Sequence, residues 1–429
     1  MAKELQRSLT PTLLWGLGVG YVISGLYFGW NLGLEKGGTL GMAVATGLAV
    51  VMYVCFTLCY AELACAIPKA GGVFDYATQA LGKNAGLVAG IAQIFEFVLA
   101  PPAIAAALGA HINLFFPRVE VNLAAVGVYF LFTFLNIRGV KLAATFELAV
   151  ATLAVLGLLL FAVVLLPEIK LQNLAANALP HGWAGVWAAM PFAIWFFLGI
   201  EGLANAAEES QNPQRDLTRG FAWAMLTLIV LCALTFVGAV GVAGWEAVVF
   251  KADGTTSDSP LPLALLRVGH NQQLYYALVV FGLFGLVASF HGLLMAGGRA
   301  TFEMGRVAHL PAWLGNIHPR FQTPANALLV NMLVGIAALL SNTTADIIVL
   351  SVLGALTLYV FGAVSVWQLR RRAPLLERPF RTPAYALVAS VAFLIAASSL
   401  LVVSYLNPGL AAYYLGGLTV FFIFSKIKG

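Results

Sequence analysis

The chain has 429 residues, of which 61% are hydrophobic and only 10% charged. Soluble domains carry about 25% charged residues, so the composition excludes a water-soluble globular protein. The net charge of +5 does not call for a nucleic-acid partner, because the basic residues sort by side of a membrane, as set out below.

A spanning helix needs roughly 20 mostly apolar residues. Twelve such runs follow one another, at 12–34, 39–66, 84–114, 121–138, 145–167, 184–206, 221–243, 273–303, 325–341, 346–369, 384–405 and 410–425. None alternates with the period of two that a β-barrel strand requires. The expected fold class is an all-α polytopic membrane protein with twelve transmembrane helices, and the partner it implies is the lipid bilayer. The start, MAKELQRSLTPTLLWGLG, lacks a small-residue cleavage site after a short apolar core and reads as the lead-in to segment 1.

Segment 1, WGLGVGYVISGLYFGWNLGLEKGG, has seven glycines between Trp15 and Gly38. Segment 2 ends near Glu62 and carries Cys55, Cys59 and Cys65. With Cys232 these thiols sit in or at the end of apolar runs and read as small buried hydrophobes, with no disulfide and no metal site expected. Segment 3 contains IAQIFEFVLAPPAIA, with Glu96 near its middle followed by Pro101 and Pro102. A proline removes the hydrogen bond to the carbonyl four residues earlier, here those of Phe97 and Val98. A carboxylate beside two released carbonyls would be an acceptor-only environment, suited to a cation with several N–H donors. Residues 96 to 98 point about 100° apart around a helix, so all three need not face one site.

Glu147 stands near the start of segment 5. Segment 6, PFAIWFFLGIEGLANAAEESQNP, places Gly199-Ile200-Glu201-Gly202 in mid-run. Glycine is about 1 kcal/mol worse than alanine in a helix, and broken backbone at membrane depth is tolerated only where it lines a cavity. Glu201 can either cap freed backbone amides or serve a substrate or a coupling ion. Glu208 and Glu209 fall at the far end of the segment, where Arg215 and Arg219 are the expected partners in a gate or a structural network. Segment 8 carries Ser289 and His291, the histidine reading either as a satisfied core residue or as a proton relay. The runs of segments 3 and 8 exceed 30 residues, too long to cross without a strong tilt.

The segments with breaks, 1 and 6, lie five apart. Five is odd, so a second five-helix unit repeating the first would be inverted across the membrane. Interrupted helices at matching positions of inverted halves are the sequence sign of a secondary transporter with a midplane site. Gly244–Asn271 is the longest expected loop, QTPANA at 322–327 an entry into segment 9, and RRRAPLLERPFRTP at 370–383 a basic linker that anchors topology. Of the 23 Lys and Arg residues, Lys36, Arg118, Lys170, Lys251 and Arg267 fall on one side and the rest, Lys3 and Lys141 included, on the side of both termini. The positive-inside rule puts that side in the cytoplasm.

On VISGLYF at 22–28, YAELACAIPKAGGVFDYATQALG at 60–82, LNIRGVKLAA at 135–144, FLGIEGLANAAEESQNPQRD at 197–216 and ASFHGLLMAGGRATFEMGRVAHLPAWLGNIHPRFQTP at 288–324, the chain resembles the amino acid–polyamine–organocation (APC) superfamily over about residues 10–405. The resemblance implies a five-plus-five inverted repeat of the LeuT-like kind, with discontinuous helices 1 and 6. Its units are a first repeat at 1–170, a second at 180–372, and two added helices at 380–429. FGWNLGLEKGG at 28–38, FEFVLAPPAIAAALGA at 95–110 and WFFLGIEGLANAAEE at 195–209 look most like the ethanolamine permeases.

The family seats a substrate carboxylate on the helix 1 break, a place held here by Ser24 and Gly25. Ethanolamine has no carboxylate, and Glu96 adds the negative charge that such a cation needs. The expected binding residues are Ser24, Gly25, Tyr27, Phe28, Glu96, Phe197, Gly199, Ile200 and Glu201. Glu62, Trp195, Glu208, Ser289 and His291 are candidates for coupling or gating, and the aromatics around both breaks could cage a small ammonium. Proton-coupled members often carry a lysine in helix 5 where this chain has Ala154, so the coupling mode stays open. The proton could ride on Glu96 or Glu201, or sodium could sit between helix 1 and Ser289. No cofactor is expected beyond that coupling ion, and the assembly would be a monomer or a homodimer. The function expected is import of a small primary amine, ethanolamine first. The alternatives are a proton-coupled neutral amino acid permease, for alanine for example, and a membrane substrate sensor that moves nothing. An enzyme is not expected, because no metal-ligand cluster and no Ser–His–carboxylate set shares a neighbourhood.

Overall fold

The computed structural model describes residues 7–69, 71–138, 143–269 and 272–428. Lys3 and Lys141 lie outside the described residues, as does part of LNIRGVKLAA. In chain order the helices are α1 (Pro11–Val22), α2 (Ser24–Tyr27), α3 (Asn31–Ala66), α4 (Val73–Leu81), α5 (Lys83–Phe115), α6 (Val121–Arg138) and α7 (Ala143–Leu165). After them come α8 (Leu171–Ala175), α9 (Gly182–Trp195), a 3-10 stretch at Ile200–Glu209, α10 (Pro213–Ala243), α11 (Glu246–Val249) and α12 (Pro260–Val268). The last five are α13 (Gln272–Arg306), α14 (Ala325–Ser341), α15 (Thr344–Arg372), α16 (Tyr385–Leu406) and α17 (Pro408–Lys428). Among the described residues there is no β-strand, only two isolated bridges.

The chain is a multi-pass membrane protein. Ten of its segments, counting α9 with the 3-10 stretch, are long and apolar enough to cross a membrane among the described residues. Of the other two expected runs, one is the 17-residue α14 and the other is divided into α1 and α2. Gly38, at φ 63°, kinks α3 at the boundary expected between segments 1 and 2. The expected loop at 244–271 folds in part into α11 and α12, and Pro324 caps α14 at the expected entry.

Burial grades outward from a central group. The spans in α5, α13, α15 and 182–209 are 72–83% buried, against 28% in α16 and 17% in α17. On α16, Leu387, Leu394, Leu401 and Tyr405 point outward along one stripe, as expected of a lipid face. α15 lies along α5, α3 along α9, and α1 against α7 and α10. Ser351 of α15 donates to the Glu96 carbonyl of α5 at 3.2 Å, fixing the two central helices where Glu96 stands.

The prolines do not break α5, which runs as one helix of 33 residues through Pro101 and Pro102. The Phe97 carbonyl lies against Gly297 of α13. It is thereby directed at a neighbouring helix, so the Phe97 carbonyl does not join the Glu96 carboxyl in one acceptor cluster. The 100° step between successive residues is the reason.

The basic linker after α15 is engaged in specific contacts. Arg370 donates to Glu62 at 2.7 and 2.8 Å, and Arg378 lies 3.3 Å from the same carboxylate. Arg378 also donates to the carbonyls of Leu369, Ala373 and Leu376, closing the C-terminal end of α15. Thr382 N–H completes the set on Glu62 at 2.8 Å.

Candidate functional site

The site is built on the break after α9. The chain leaves α9 at Trp195, turns through residues 196–199, and tightens into ten residues of 3-10 helix. Runs of 3-10 helix longer than three or four residues are uncommon and often mark a hinge. The turn passes through Gly199 at φ 103°, a conformation that side-chain-bearing residues avoid. It aims the Gly199 N–H at Glu201 Oε1, 3.0 Å away. Glu201 therefore caps the broken backbone, and its second oxygen remains available to other elements.

That oxygen meets Tyr359 of α15, whose hydroxyl lies 3.1 Å from Glu201 Oε2. Tyr359 in turn contacts the Tyr53 hydroxyl at 2.8 Å, and Tyr53 donates to the Ile194 carbonyl at 3.1 Å, back at the end of α9. The phenols thus tie both sides of the break to α3 and α15.

Glu96 comes to the same place from α5. Its carboxyl group and that of Glu201 lie within hydrogen-bonding reach of each other. One helical turn away on α5, Gln93 donates to Asn205 at 3.3 Å, a second polar layer in register with the first. Glu96 and Glu201 are both fully buried. Neither Glu96 oxygen accepts from an N–H or hydroxyl donor, and no Lys, Arg or His forms an ion pair with either carboxyl among the described residues. Two buried carboxyls in contact cannot both hold a negative charge without a proton or another cation between them.

The first broken segment packs beside this pair. Ile23 keeps helical angles, and the chain departs from the helix at Phe28, which is extended, and Gly29, at φ 87°. The hydrogen-bond ladder is nonetheless interrupted at the expected Ser24–Gly25. Ser24 N–H donates to Ser289 Oγ at 2.9 Å, and the same hydroxyl donates to the Gly20 carbonyl at 2.6 Å. Ser289 is thus inserted between helix partners four residues apart. Gly25 is pressed against the Trp195 carbonyl, and the Trp195 indole donates to the Phe28 carbonyl at 3.1 Å, with the two rings edge to face. The two breaks are therefore held together through Trp195.

The other expected residues fall as follows. Phe197 packs its ring on Tyr53, and Ile200 is buried at the head of the 3-10 stretch. Tyr27 turns away from the carboxyls and donates to the Ala154 carbonyl at 2.7 Å. Glu62 is remote from this cluster, held by Arg370, Arg378 and Thr382. Glu208 is half-buried at the far end of the 3-10 stretch. Its neighbour Glu209 pairs with Arg299 of α13 at 2.6 Å rather than with Arg215 or Arg219, because the 3-10 stretch packs on α13 as well as on α10. His291 is 3.3 Å from Glu147.

Sequence reasoning missed Tyr53, Tyr359, Gln93, Asn205 and the pairing of Glu147 with His291. Its one available signal was polar residues standing alone in apolar runs, such as Tyr359 in LGALTLYVFGAV.

Comparison with known proteins agrees with this architecture. Residues 12–423 match the family described as "Amino acid permease". An uncharacterized transporter of Rhizobium meliloti (strain 1021) is 29% identical over 87% of this chain and 81% of its own length. A methylthioribose transporter of Bacillus subtilis (strain 168) is 27% identical over 99% of this chain and 95% of its own. A branched-chain amino acid permease of the same organism is 25% identical over 99% and 94%. The relatives are transporters rather than enzymes. The chain belongs to the amino acid permease family of the APC superfamily.

Proposed function

We propose that the protein is a secondary transporter that imports a small primary amine, ethanolamine first, by alternating access and coupled to protons. The observation that carries the reading is the contact between Glu96 and Glu201, buried and without a cationic side chain among the described residues. Two carboxyls that lack a basic partner form a site for a cation with N–H donors.

The site divides its labour by hydrogen count. Three short contacts link Glu201, Tyr359, Tyr53 and the Ile194 carbonyl, but two phenols supply only two protons. A proton resident on Glu201 would provide the third and turn the Tyr359 contact around, so that Glu201 donates to Tyr359 and each group to the next along the chain to Ile194. With the amine bound between the two carboxyls, Glu96 is the ionised carboxylate that balances the ammonium. Loaded in this way, two carboxyls, one resident proton and one ammonium are neutral together.

The runner-up is a neutral amino acid permease, a reading supported by the branched-chain permease among the relatives. It would seat the substrate carboxylate on the first break. The Ser24 N–H is already taken by Ser289 there, which supports a substrate without a carboxylate. The same Ser289 hydroxyl bridges Gly20 and Ser24, the place where sodium would sit, which supports protons over sodium.

The paired breaks at 23–29 and 196–199 support twelve spans in two inverted units of five followed by two more. The distribution of basic residues supports a plasma or inner membrane location with both termini cytoplasmic. Competition in counterflow tests the substrate: unlabelled ethanolamine should displace labelled ethanolamine better than alanine or leucine does. Stronger displacement by either amino acid would select the runner-up, and binding without flux in reconstituted protein would select the sensor.

A further inference from the structure

We propose that Glu147 of α7 and His291 of α13 form a proton-binding site, separate from the amine site, whose occupancy is tied to the position of α1. The proposal rests on the transport reading above and names where its driving proton sits.

The amine site leaves this role open. Its resident proton can stay on Glu201 through the whole cycle, because an empty carrier that lost it would cross with two charged carboxylates buried against each other. A proton that never leaves drives nothing, so coupling needs a second seat. Other ionisable groups in the bundle do not fit. Glu62 is locked between two arginines. His111 faces the Ala107 carbonyl at 2.9 Å and the Ser259 hydroxyl, with no carboxylate beside it among the described residues.

Glu147 and His291 meet at 3.3 Å, their side chains 1% and 9% exposed. Glu147 Oε2 takes the histidine, while Oε1 is buried without a hydrogen-bond partner. Oε1 is pressed against Gly20 of α1, where any side chain would overlap it. The Gly20 carbonyl is the one held by Ser289, two residues before His291 on α13. One short stretch of α13 therefore holds both the interruption of the first segment and the acid–imidazole pair.

The groups that face the pair are few. Tyr21 of α1 packs its ring on Gly292 and Gly202 and feels the charge of Glu147. Tyr21 also feels the Arg299–Glu209 ion pair, contributed by α13 and the 3-10 stretch. From α6 and α7, Phe132 and Phe146 turn their rings toward His291 at 6.2 and 5.8 Å. Among the described residues Glu147 makes no other ion pair or side-chain hydrogen bond.

With a proton on the imidazole the pair is a neutral unit of imidazolium and carboxylate, and α1 packs closed over it. When the proton passes to water, Glu147 is left as a buried carboxylate beside a neutral ring. That state is relieved if α1 swings away from α7 and admits water to Oε1. Release of the proton thus favours opening on the side toward which the N-terminal half of α1 points.

The test uses the full chain in proteoliposomes, as wild type, Glu147→Gln, His291→Gln and the double variant. Labelled ethanolamine counterflow at equal pH reads transport alone, and wild-type counterflow reports on the amine reading by itself. Accumulation under an inward proton gradient, with a trapped pH dye, reads coupling. The variants should keep counterflow within about threefold and lose gradient-driven accumulation and amine-induced lumen acidification by about tenfold or more. Variants that accumulate and acidify like wild type would overturn the proposal. So would wild-type accumulation driven by a sodium gradient at equal pH, or wild-type amine flux that moves no protons. If the single variants do not fold, the double variant keeps the site neutral with two amides that can hydrogen-bond each other and carries the test. Wild-type protein that exchanges no amine would overturn the transport reading and this proposal with it.

Discussion

The hydroxyl of Tyr359 lies 3.1 Å from Glu201, and through that contact α15 holds the second broken helix. If Glu201 carries a resident proton, an amide can replace it, because the amide nitrogen donates to Tyr359 as the acid does. Glu201→Gln should therefore keep ethanolamine counterflow within about fivefold of wild type. Tyr359→Phe should do more harm, since it leaves buried Glu201 and Tyr53 each short of a partner. Loss of such a bond costs about 1–3 kcal/mol, which predicts a half-saturation concentration raised about tenfold. Equal loss in the two variants would show that Glu201 works as a carboxylate.

Glu96→Gln should behave in the opposite way. It removes the charge that balances the ammonium while keeping the size of the side chain. Transport should fall by about a hundredfold or more, as expected when a buried charge partner worth about 3 kcal/mol is lost. Thermal unfolding in detergent should occur at the same temperature or higher, because a buried unpaired carboxyl is itself a burden on stability. Uptake at the wild-type level would sink the role assigned to Glu96.

Glu62 gives a contrasting case. Its carboxylate joins the end of α3 to Arg370, Arg378 and Thr382, far from the paired carboxyls. Glu62→Ala leaves two guanidinium groups without their shared partner. Arg370 retains some exposure, so the loss should be about 2–4 kcal/mol. The yield of folded protein should drop, while counterflow per folded molecule stays close to wild type. A normal yield with abolished counterflow would reassign Glu62 to gating.

Gly199→Ala places a side chain at φ 103°. The backbone strain is about 1–3 kcal/mol, and the Tyr21 carbonyl would stand 3.1 Å from the new Cβ. The variant should unfold at a lower temperature and transport poorly, because the Gly199 N–H can no longer reach Glu201 without relaxation of the turn. Wild-type stability would show that the turn is looser than its geometry implies.

Composition and run length carried much of the fold. The membrane environment, the boundary at Gly38 and the break at Gly199 follow from residues next to one another in sequence. The carboxyl pair was only half legible. Glu96 and Glu201 stood out because each is a charge in an apolar run, yet nothing local told which would face which. Their contact depends on how α5 packs against the 3-10 stretch, a relationship between residues more than 100 positions apart. Pro101 and Pro102 misled for the same reason: their released carbonyls are local facts, but α13 decides where the Phe97 carbonyl points. Tyr53 and Tyr359 read as core aromatics, and their hydroxyls gain meaning only when α3 and α15 converge on the break. Arg299 was hidden likewise, since Arg215 and Arg219 lie nearer to Glu209 in sequence while its ion pair forms across to α13.

The most direct measurement is uptake of labelled ethanolamine into proteoliposomes, with and without an inward proton gradient, for wild type and Glu96→Gln side by side. Wild type should accumulate ethanolamine under the gradient and the variant should not. No ethanolamine flux from folded wild-type protein, or equal flux from the two proteins, would contradict it.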